Sequence, residues 1–333
     1  MRDRNKRIDY IDLFRAWGIL LMIMGHVAFG GEFDKWIHIF HMPMFFIVSG
    51  YFYKKQEFLI LLRKRLKCLI LPYFIFGLMH ILIYYYRLGR IDFHALYLLL
   101  WENTADNGIP ISGALWFLSA MFISEIVFYF VFTHFKSDII KTLTSFAISI
   151  AGIICANYLP FRLPWAIDAG MVGVAFYQVG GIIHKKQAQL EKVSLVYTVF
   201  SIILFSCLGL INDYVNLRMG YYGIWPLFYV SAIGLSLAFW NMFRLVHIKF
   251  YRKRVLDRAL SVIEIMGRDS IVFLCLNQLI ILLLSEWIGS FLPSTEIKMI
   301  LLKKIIILVL TIIALYIICM IVNKTRLKKV FGK

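Results

Sequence analysis

The chain has 333 residues, of which 61% are hydrophobic, 17% aromatic and 17% charged, and its net charge is +17. Soluble domains average about 45–50% apolar and about 25% charged residues, and a globular core of this length would be covered before so many apolar residues were buried. These values exclude a soluble enzyme, a disordered chain and a fibrous repeat. The positive charge is typical of basic residues held on the cytoplasmic side of a bilayer, so no nucleic-acid partner is expected.

Ten apolar runs follow one another along the chain, each close to the length of about 20 residues that a helix needs to cross the hydrocarbon core. Because open strands would leave backbone groups unpaired in lipid, every run is predicted to be a helix. The runs are 9–30, 36–53, 66–86, 114–133, 138–158, 166–183, 193–211, 223–245, 261–285 and 299–322. The sequence therefore predicts an all-α integral membrane protein with one polytopic domain over residues 1–333.

The distribution of Lys and Arg predicts that both termini lie in the cytoplasm. With the N-terminus inside, the cytoplasmic segments are 1–8, 54–67, 134–141, 184–192, 246–258 and 323–333. These segments hold 25 basic residues, whereas the segments on the opposite side hold six. Positive charge is enriched in cytoplasmic loops, so this distribution also supports an even number of spans.

The first run carries three ionisable residues in an otherwise apolar helix: Asp12, Arg15 and His26. Such residues are costly inside a membrane, so each is a functional candidate. Arg15 and His26 are eleven residues apart, which places them on one stripe within about 20° and roughly 16 Å apart along the axis. Asp12 is close enough to Arg15 to form an ion pair. The stripe lines a path across the membrane in one interpretation; in the other, the ion pair and a hydrogen-bonded histidine are structural.

The second run adds His38, His41 and Ser49, and it contains Pro43, which bends a helix and frees a backbone carbonyl. The two histidines share a helix face, but no carboxylate or cysteine lies nearby at ligand spacing, so no metal or tightly bound cofactor is expected. Histidine is the side chain best suited to take a proton from a hydroxyl near neutral pH. The run therefore favours proton-transfer chemistry.

Three segments predicted to lie outside the cell mix aromatic residues with amides and carboxylates: 87–113, 158–168 and 212–222. The first of them contains Glu102, Asn103, Asp106, Asn107 and Ser112. Rings that stack on sugar faces, with polar groups beside them, are typical of carbohydrate binding. The aromatic belt of any membrane protein has a similar composition, and both interpretations stay open.

Several motifs together give the chain a resemblance to a known family. These are the Arg15–x10–His26 spacing, Phe-His-Met-Pro-Met-Phe-Phe-Ile-Val-Ser-Gly at 40–50, Leu-Pro-Tyr at 71–73, Leu-Trp-Phe-Leu at 115–118, Leu-Pro-Trp-Ala-Ile-Asp at 163–168 and Phe-Tyr-Gln-Val-Gly at 176–180. The chain resembles the membrane acyltransferase-3 family, whose members O-acylate bacterial surface and exported carbohydrates. It looks most like the short, fucose 4-O-acetylase-like branch, which has no fused esterase-like domain.

The resemblance implies a membrane O-acetyltransferase of the bacterial cytoplasmic membrane, with acetyl-CoA as donor substrate and a surface or lipid-linked glycan as acceptor. His26 would accept the proton of the attacking hydroxyl, and Arg15, beside Asp12, would help hold the anionic donor. The basic stretch would extend the donor surface, or else serve only as a topology signal; its members are Arg63, Lys64, Arg65 and Lys67. His41, Trp116 and Asp168 are the acceptor-binding candidates, and Glu125 is a further intramembrane polar contact.

The chain departs from the family pattern at two places. The family often has an Arg-x-x-Arg pair in the basic stretch, whereas Arg65 is followed three residues later by Cys68, with Lys67 as a possible substitute. The ninth span commonly carries Gly-x-x-Ser and then a histidine, whereas here the motif at 267–270 is followed by Asn277. Asparagine can hydrogen-bond a substrate or a helix, but it is not a proton carrier.

Two other functions are consistent with the sequence. A transporter of a glycan or glycolipid precursor would share the intramembrane charges, although no matched pair of Gly/Pro-interrupted spans is present in the two halves of the chain. A structural subunit of a polysaccharide-synthesis complex would depend on neither His26 nor CoA turnover. Loss of acetylation with unchanged export in a deletion strain would favour the enzyme.

Overall fold

The structure is a computed structural model that describes residues 9–89, 93–104, 113–250, 263–292 and 296–332. Within these ranges the backbone is helical apart from loops and one isolated bridge between Asn216 and Tyr221. Residues 1–8 and 251–258, which contribute to the charge distribution, lie outside the described residues, as do Asp106, Asn107 and Ser112 of the first outer segment.

Thirteen helices of the described ranges are labelled in chain order. They are α1 (Asp9–Val27), α2 (Gly31–Tyr51), α3 (Phe58–Arg65), α4 (Leu71–Leu88), α5 (Phe93–Leu100), α6 (Trp116–His134), α7 (Asp138–Tyr158), α8 (Ile167–Lys185), α9 (Gln187–Leu190), α10 (Leu195–Ile211), α11 (Trp225–Phe250), α12 (Ser270–Phe291) and α13 (Ile297–Lys324). A π-helical segment, Leu66–Ile70, joins α3 to α4, and short 3-10 turns lie at Gly113–Leu115, Pro164–Ala166 and Arg326–Lys329. Residues 263–268 are also helical and precede α12.

The helices agree with the predicted membrane architecture. In the described residues, eight helical segments are long and apolar enough to cross a membrane, and one of them runs continuously from α3 into α4. The other two predicted runs correspond to α10, which has 17 residues, and to α2, which begins with Glu32, Asp34 and Lys35. The all-α membrane fold is confirmed, whereas ten crossings and the cytoplasmic termini stay predictions.

Helix α1 lies inside the bundle, where it packs against α2, α11, α12 and α13. Its apolar side chains, among them Phe14, Ile19 and Ile23, are fully buried. Large apolar side chains point outward on other helices, for example Ile139 on α7 and Phe200 on α10. A broad apolar outer surface is expected where lipid is the solvent. On α1, by contrast, Asp12 is buried, and Arg15 and His26 line cavities of the protein.

A close backbone contact fixes α2 against α8. A Cβ on Gly50 would overlap the carbonyl of Tyr177, and a Cβ on Gly180 would overlap the carbonyl of Ile47. Only glycine fits at these two positions, since small residues are what allow membrane helices to approach so closely. The contact holds α2, which carries the second histidine group, beside the α8 residue Tyr177.

Candidate active site

Three arginines from separate parts of the chain line one cavity of about 340 Å³, hereafter the arginine cavity. Arg15 comes from α1, Arg65 from the last turn of α3, and Arg268 from the residues before α12. The remaining lining is mostly apolar and includes Ile19, Phe45, Phe117 and Met121, with Ser49, Glu125 and Tyr177 as polar members. Guanidinium groups in an apolar wall are suited to a ligand that combines phosphate with an apolar arm.

The predicted contact between Asp12 and Arg15 is present. Arg15 Nη1 lies 3.5 Å from Asp12 Oδ1, and the carboxylate is buried while the guanidinium keeps 29% of its side-chain exposure. The guanidinium also lies 5.3 Å from the centre of the Phe52 ring. The carboxylate and the ring orient Arg15, and its five N–H donors exceed what one carboxylate can accept.

Arg65 is held in the cavity wall by a partner that is distant in sequence. Its Nε lies 2.6 Å from Oε2 of the buried Glu125, which also accepts a hydrogen bond of 3.1 Å from the Tyr177 hydroxyl. The π-helical segment begins directly after Arg65, and such insertions change the direction of side chains and often occur at functional sites. The other basic residues of the stretch are exposed and do not line the arginine cavity: Arg63, Lys64 and Lys67.

Arg268 was not predicted as a site residue from the sequence, and residues near the C-terminus surround it. It pairs with Asp269 at 3.1 Å, and Asn323 of α13 donates a hydrogen bond of 2.7 Å to the same carboxylate. Phe331 and Gly332 complete the wall beside it. The ion-pair partner Asp269 is the next residue, but Asn323, Phe331 and Gly332 are more than fifty positions away, where no local pattern reveals them.

A second cavity, of about 160 Å³, contains the histidines of α1 and α2 and is hereafter the histidine cavity. Its polar lining consists of His26, His38, His41, Trp116, Asn216, Arg218 and Gln278. The structure thus brings together three of the predicted site residues, namely His26, His41 and Trp116. Asn216 and Arg218 come from segment 212–222, one of the predicted outer segments with a composition typical of carbohydrate binding, whereas Gln278 of α12 was not singled out from the sequence.

Asn277 of α12 holds the imidazole of His26. Nδ1 of His26 lies 2.5 Å from Oδ1 of Asn277, and the amide nitrogen of Asn277 donates to the carbonyls of Phe273 and Leu274 at 2.9 and 2.8 Å. Asn277 is fully buried. His26 lines the histidine cavity, and because Nδ1 is bonded to Asn277, Nε2 is the nitrogen left for a ligand there.

The two histidines of α2 bond to the backbone of their own helix. Nδ1 of His38 bonds to the carbonyl of Asp34 at 2.8 Å, Nδ1 of His41 bonds to that of Ile37 at 2.9 Å, and the rings lie 4.9 Å apart. Among the described residues no group of three or more His, Cys, Asp or Glu side chains could hold a metal. Each ring has a second nitrogen that is not used in these backbone contacts, and both residues line the histidine cavity, where an imidazole nitrogen can hydrogen-bond a hydroxyl.

A tyrosine from the segment between α10 and α11 lies beside His38 of α2. The Tyr214 hydroxyl donates to Asp34 Oδ2 at 2.7 Å, and its ring lies 5.3 Å from that of His38. Burial, followed by the adjacent Asp34 carboxylate, raises the pKa of Tyr214 above its ordinary value. The phenol therefore stays protonated and keeps donating to Asp34 at physiological pH.

The two cavities meet at three apolar side chains. Met22 of α1, Met42 of α2 and Leu274 of α12 line both of them. Met22 lies between Arg15 and His26 on α1, so the predicted stripe is divided into two compartments instead of lining one open path. We refer to these three residues as the junction.

Asp168 occupies a different place from the other acceptor-binding candidates. It is fully buried and lines neither cavity. Arg162 donates to its Oδ2 at 2.6 Å, and the backbone N–H of Ala169 donates to its Oδ1 at 2.7 Å. Both carboxylate oxygens are thus occupied inside the protein, where they stabilise the turn that leads into α8.

Comparison with known families agrees with this architecture. Residues 8–324 match the family model described as an acyltransferase domain, which is nearly the whole chain. The chain belongs to the acyltransferase-3 family. No curated protein and no solved structure matches it. This acyltransferase-3 protein is therefore a membrane acyltransferase, and the two cavities are the places where its substrates are to be sought.

Proposed function

We propose that this membrane acyltransferase moves an acetyl group from cytosolic acetyl-CoA to a hydroxyl of a bacterial surface or lipid-linked glycan, with His26 as the general base. One observation carries the proposal: a cavity lined by arginines and a cavity lined by histidines meet at Met22, Met42 and Leu274. The protein would act in the bacterial cytoplasmic membrane as a multi-pass enzyme without a tightly bound cofactor.

The arginine cavity is the proposed donor site. The distribution of basic residues favours a cytoplasmic N-terminus, which places Arg15, near the start of α1, on the side where acetyl-CoA is found. Arginine binds phosphate through charge-assisted and often bidentate hydrogen bonds. Arg15, Arg65 and Arg268 are each oriented by a carboxylate, so the donor meets groups that are already in place. The apolar wall then receives the arm that carries the thioester.

The histidine cavity is the proposed acceptor site, with Trp116 for stacking on the sugar and His41 for a hydroxyl. The acceptor oxygen attacks the thioester carbonyl at the junction while Nε2 of His26 takes the hydroxyl proton. The tetrahedral intermediate collapses by breaking the carbon–sulfur bond. The CoA thiolate leaves and takes the proton back from the imidazolium, so the histidine returns to its neutral form.

Inverted membrane vesicles from the natural host test this proposal, because they expose the cytoplasmic face and contain the natural acceptor. Acetyl-CoA labelled in the acetyl group is added, and label released from the glycan by mild alkali is measured. His26→Ala should lower the rate of label transfer by at least about 100-fold, since a positioned general base contributes about 10²–10⁴-fold. His134→Ala is the matched control, because His134 is exposed at the end of α6.

The outcomes separate the enzyme from a transporter. Equal label transfer by His26→Ala and the parent protein would contradict the role of His26. A deletion strain that still acetylates the glycan but no longer carries it on the cell surface would instead support transport. The proposal predicts loss of acetyl groups while export of the glycan continues.

A further inference from the structure

A buried asparagine makes the contact that decides which nitrogen of His26 reacts. Asn277 lies on α12 and His26 near the end of α1, 251 positions apart in the sequence. The bond between Asn277 Oδ1 and His26 Nδ1 is 2.5 Å long. Asparagine does not take up protons in the physiological range, so its contribution to the reaction has to come from the direction of this hydrogen bond.

The neighbouring backbone determines how the Asn277 amide is turned. The carbonyl oxygens of Phe273 and Leu274 both lie within hydrogen-bond distance of its nitrogen. Carbonyl oxygens only accept, so they require the NH₂ group of the side chain. The reversed amide would place Oδ1 against two carbonyl oxygens. The oxygen of Asn277 must therefore face His26.

From this arrangement we infer that Asn277 is a positioning residue that fixes the tautomer of His26. Because Oδ1 can only accept, Nδ1 must carry the hydrogen, and neutral imidazole then has its lone pair on Nε2. Because His26 lines the histidine cavity, that lone pair is the proton acceptor for the substrate in this inference. The inference rests on the proposed function, in which His26 is the base.

The same bond persists through the proposed reaction. When Nε2 takes the proton, Nδ1 remains a donor, so the imidazolium and the neutral ring both satisfy Oδ1 of Asn277. The opposite tautomer would set two acceptors against each other at 2.5 Å, and a buried amide oxygen without a donor is costly. The ring thus needs no reorientation between proton uptake and proton return.

Asn277→Leu tests the inference in the vesicle assay, because it removes the acceptor with little change in volume. The maximal rate should fall by about 10- to 100-fold, part of the contribution of a general base, while the acetyl-CoA concentration at half-maximal rate stays within about two-fold of the parent. Asn157→Leu is the matched control, since Asn157 also donates to the carbonyl four residues earlier, Ile153, and lines neither cavity.

Asn277→Asp provides a readout that a purely structural role would not move. The carboxylate still accepts from Nδ1, so this variant should keep more activity than Asn277→Leu. A negative charge also favours imidazolium, so the acid limb of the pH–rate profile should move to higher pH. An active Asn277→Asp variant with an unshifted profile would overturn the inference, and so would a maximal rate for Asn277→Leu equal to that of the parent.

The two hypotheses fail in different ways. If His26→Ala is inactive while Asn277→Leu keeps the parental rate, the tautomer is set by something other than Asn277, and His26 remains the base. If His26→Ala is fully active, the proposed chemistry itself is wrong. Protein yield and melting temperature of each purified variant distinguish a loss of rate from a loss of folded protein.

Discussion

The arginine cavity and the histidine cavity differ in how their polar groups are held. In the arginine cavity, charged side chains are paired with carboxylates: Arg15 with Asp12 and Arg65 with Glu125. In the histidine cavity, two rings are oriented by uncharged acceptors, Asn277 for His26 and the backbone for His41, whereas His38 also lies near a carboxylate, with its Nδ1 3.4 Å from Asp34 Oδ1. The first arrangement retains positive charge at a fixed place, whereas the second fixes the direction of a lone pair.

In the proposed function the two ends of α1 have separate tasks, and this difference fits them. A site for an anionic donor requires a positive charge that is retained on partial burial. A guanidinium paired with a carboxylate supplies such a charge. A site for proton transfer requires a neutral base in a defined tautomer. Substitutions in the arginine cavity should therefore change the donor requirement, and those in the histidine cavity should change the maximal rate. Substitutions at the junction should affect both, because the proposed reaction takes place there.

The largest effect is expected from Leu274→Trp. Leu274 lines both cavities, and a larger ring would occupy the space in which acceptor and thioester approach each other. Label transfer from acetyl-CoA should fall by at least about 100-fold, since overpacking is not relieved without displacing neighbours. Leu274→Met conserves volume and should retain the rate within about three-fold. A fully active Leu274→Trp protein would mean that the two cavities are not connected at this point.

Arg15→Ala should have the next largest effect, and it should act on the donor. A charge-assisted hydrogen bond contributes about 1.5–3 kcal/mol, so the acetyl-CoA concentration at half-maximal rate should rise by about 10- to 100-fold. The measurement is the dependence of label transfer on donor concentration. Arg326→Ala is the control, because Arg326 is exposed and lines neither cavity. An unchanged donor dependence would remove Arg15 from the donor site.

Glu125→Gln should act through Arg65 and produce a smaller change. The guanidinium stays in place, but it loses the carboxylate that lies 2.6 Å away. We expect the half-saturating acetyl-CoA concentration to rise by about three- to ten-fold, because the amide oxygen of glutamine still accepts from the guanidinium but more weakly than a carboxylate does. Tyr177→Phe removes only a neutral donor to the same carboxylate and should have a weaker effect. A Glu125→Gln protein with parental donor dependence would show that Arg65 does not need this partner.

The smallest effect is expected from Arg63→Ala. Arg63 is two residues from Arg65 on the same helix, but it is exposed and does not line the arginine cavity. Exposed charges contribute little to binding or stability, so the donor dependence should change by less than about two-fold. Titration of acetyl-CoA with Arg63→Ala and Arg65→Ala in parallel checks this. An equal loss in both variants would support a broad basic surface in place of a defined cavity.

Local pattern was sufficient to predict the long apolar helices and the polar stripe of α1, but not the short helices α3, α5 and α9, which lie in segments predicted as loops. Hydrophobic runs identify spans because lipid requires both apolar side chains and internal backbone bonding. The helical period placed Asp12 beside Arg15 and put Arg15 and His26 on one face. The ion pair that follows from this spacing is present at 3.5 Å.

Contacts between distant helices could not be predicted in the same way. Glu125 and Asn277 each lie on apolar helices, and nothing around them in the sequence indicates that their partners are Arg65 and His26. The basic stretch also looked uniform, although only Arg65 turns into the cavity, directly before the π-helical segment. Asp168 lies in a segment that the sequence predicts to be at the outer surface, where an exposed carboxylate is expected. In the structure its side chain is buried and paired with Arg162, six residues earlier across a turn.

Equilibrium binding of labelled acetyl-CoA to the purified protein in lipid nanodiscs tests the division between the two cavities most directly. His26→Ala should bind the donor with the affinity of the parent while transferring no label, and Arg15→Ala should bind it about 10- to 100-fold more weakly. Loss of donor binding in His26→Ala, together with parental binding in Arg15→Ala, would contradict the assignment of the donor to the arginine cavity.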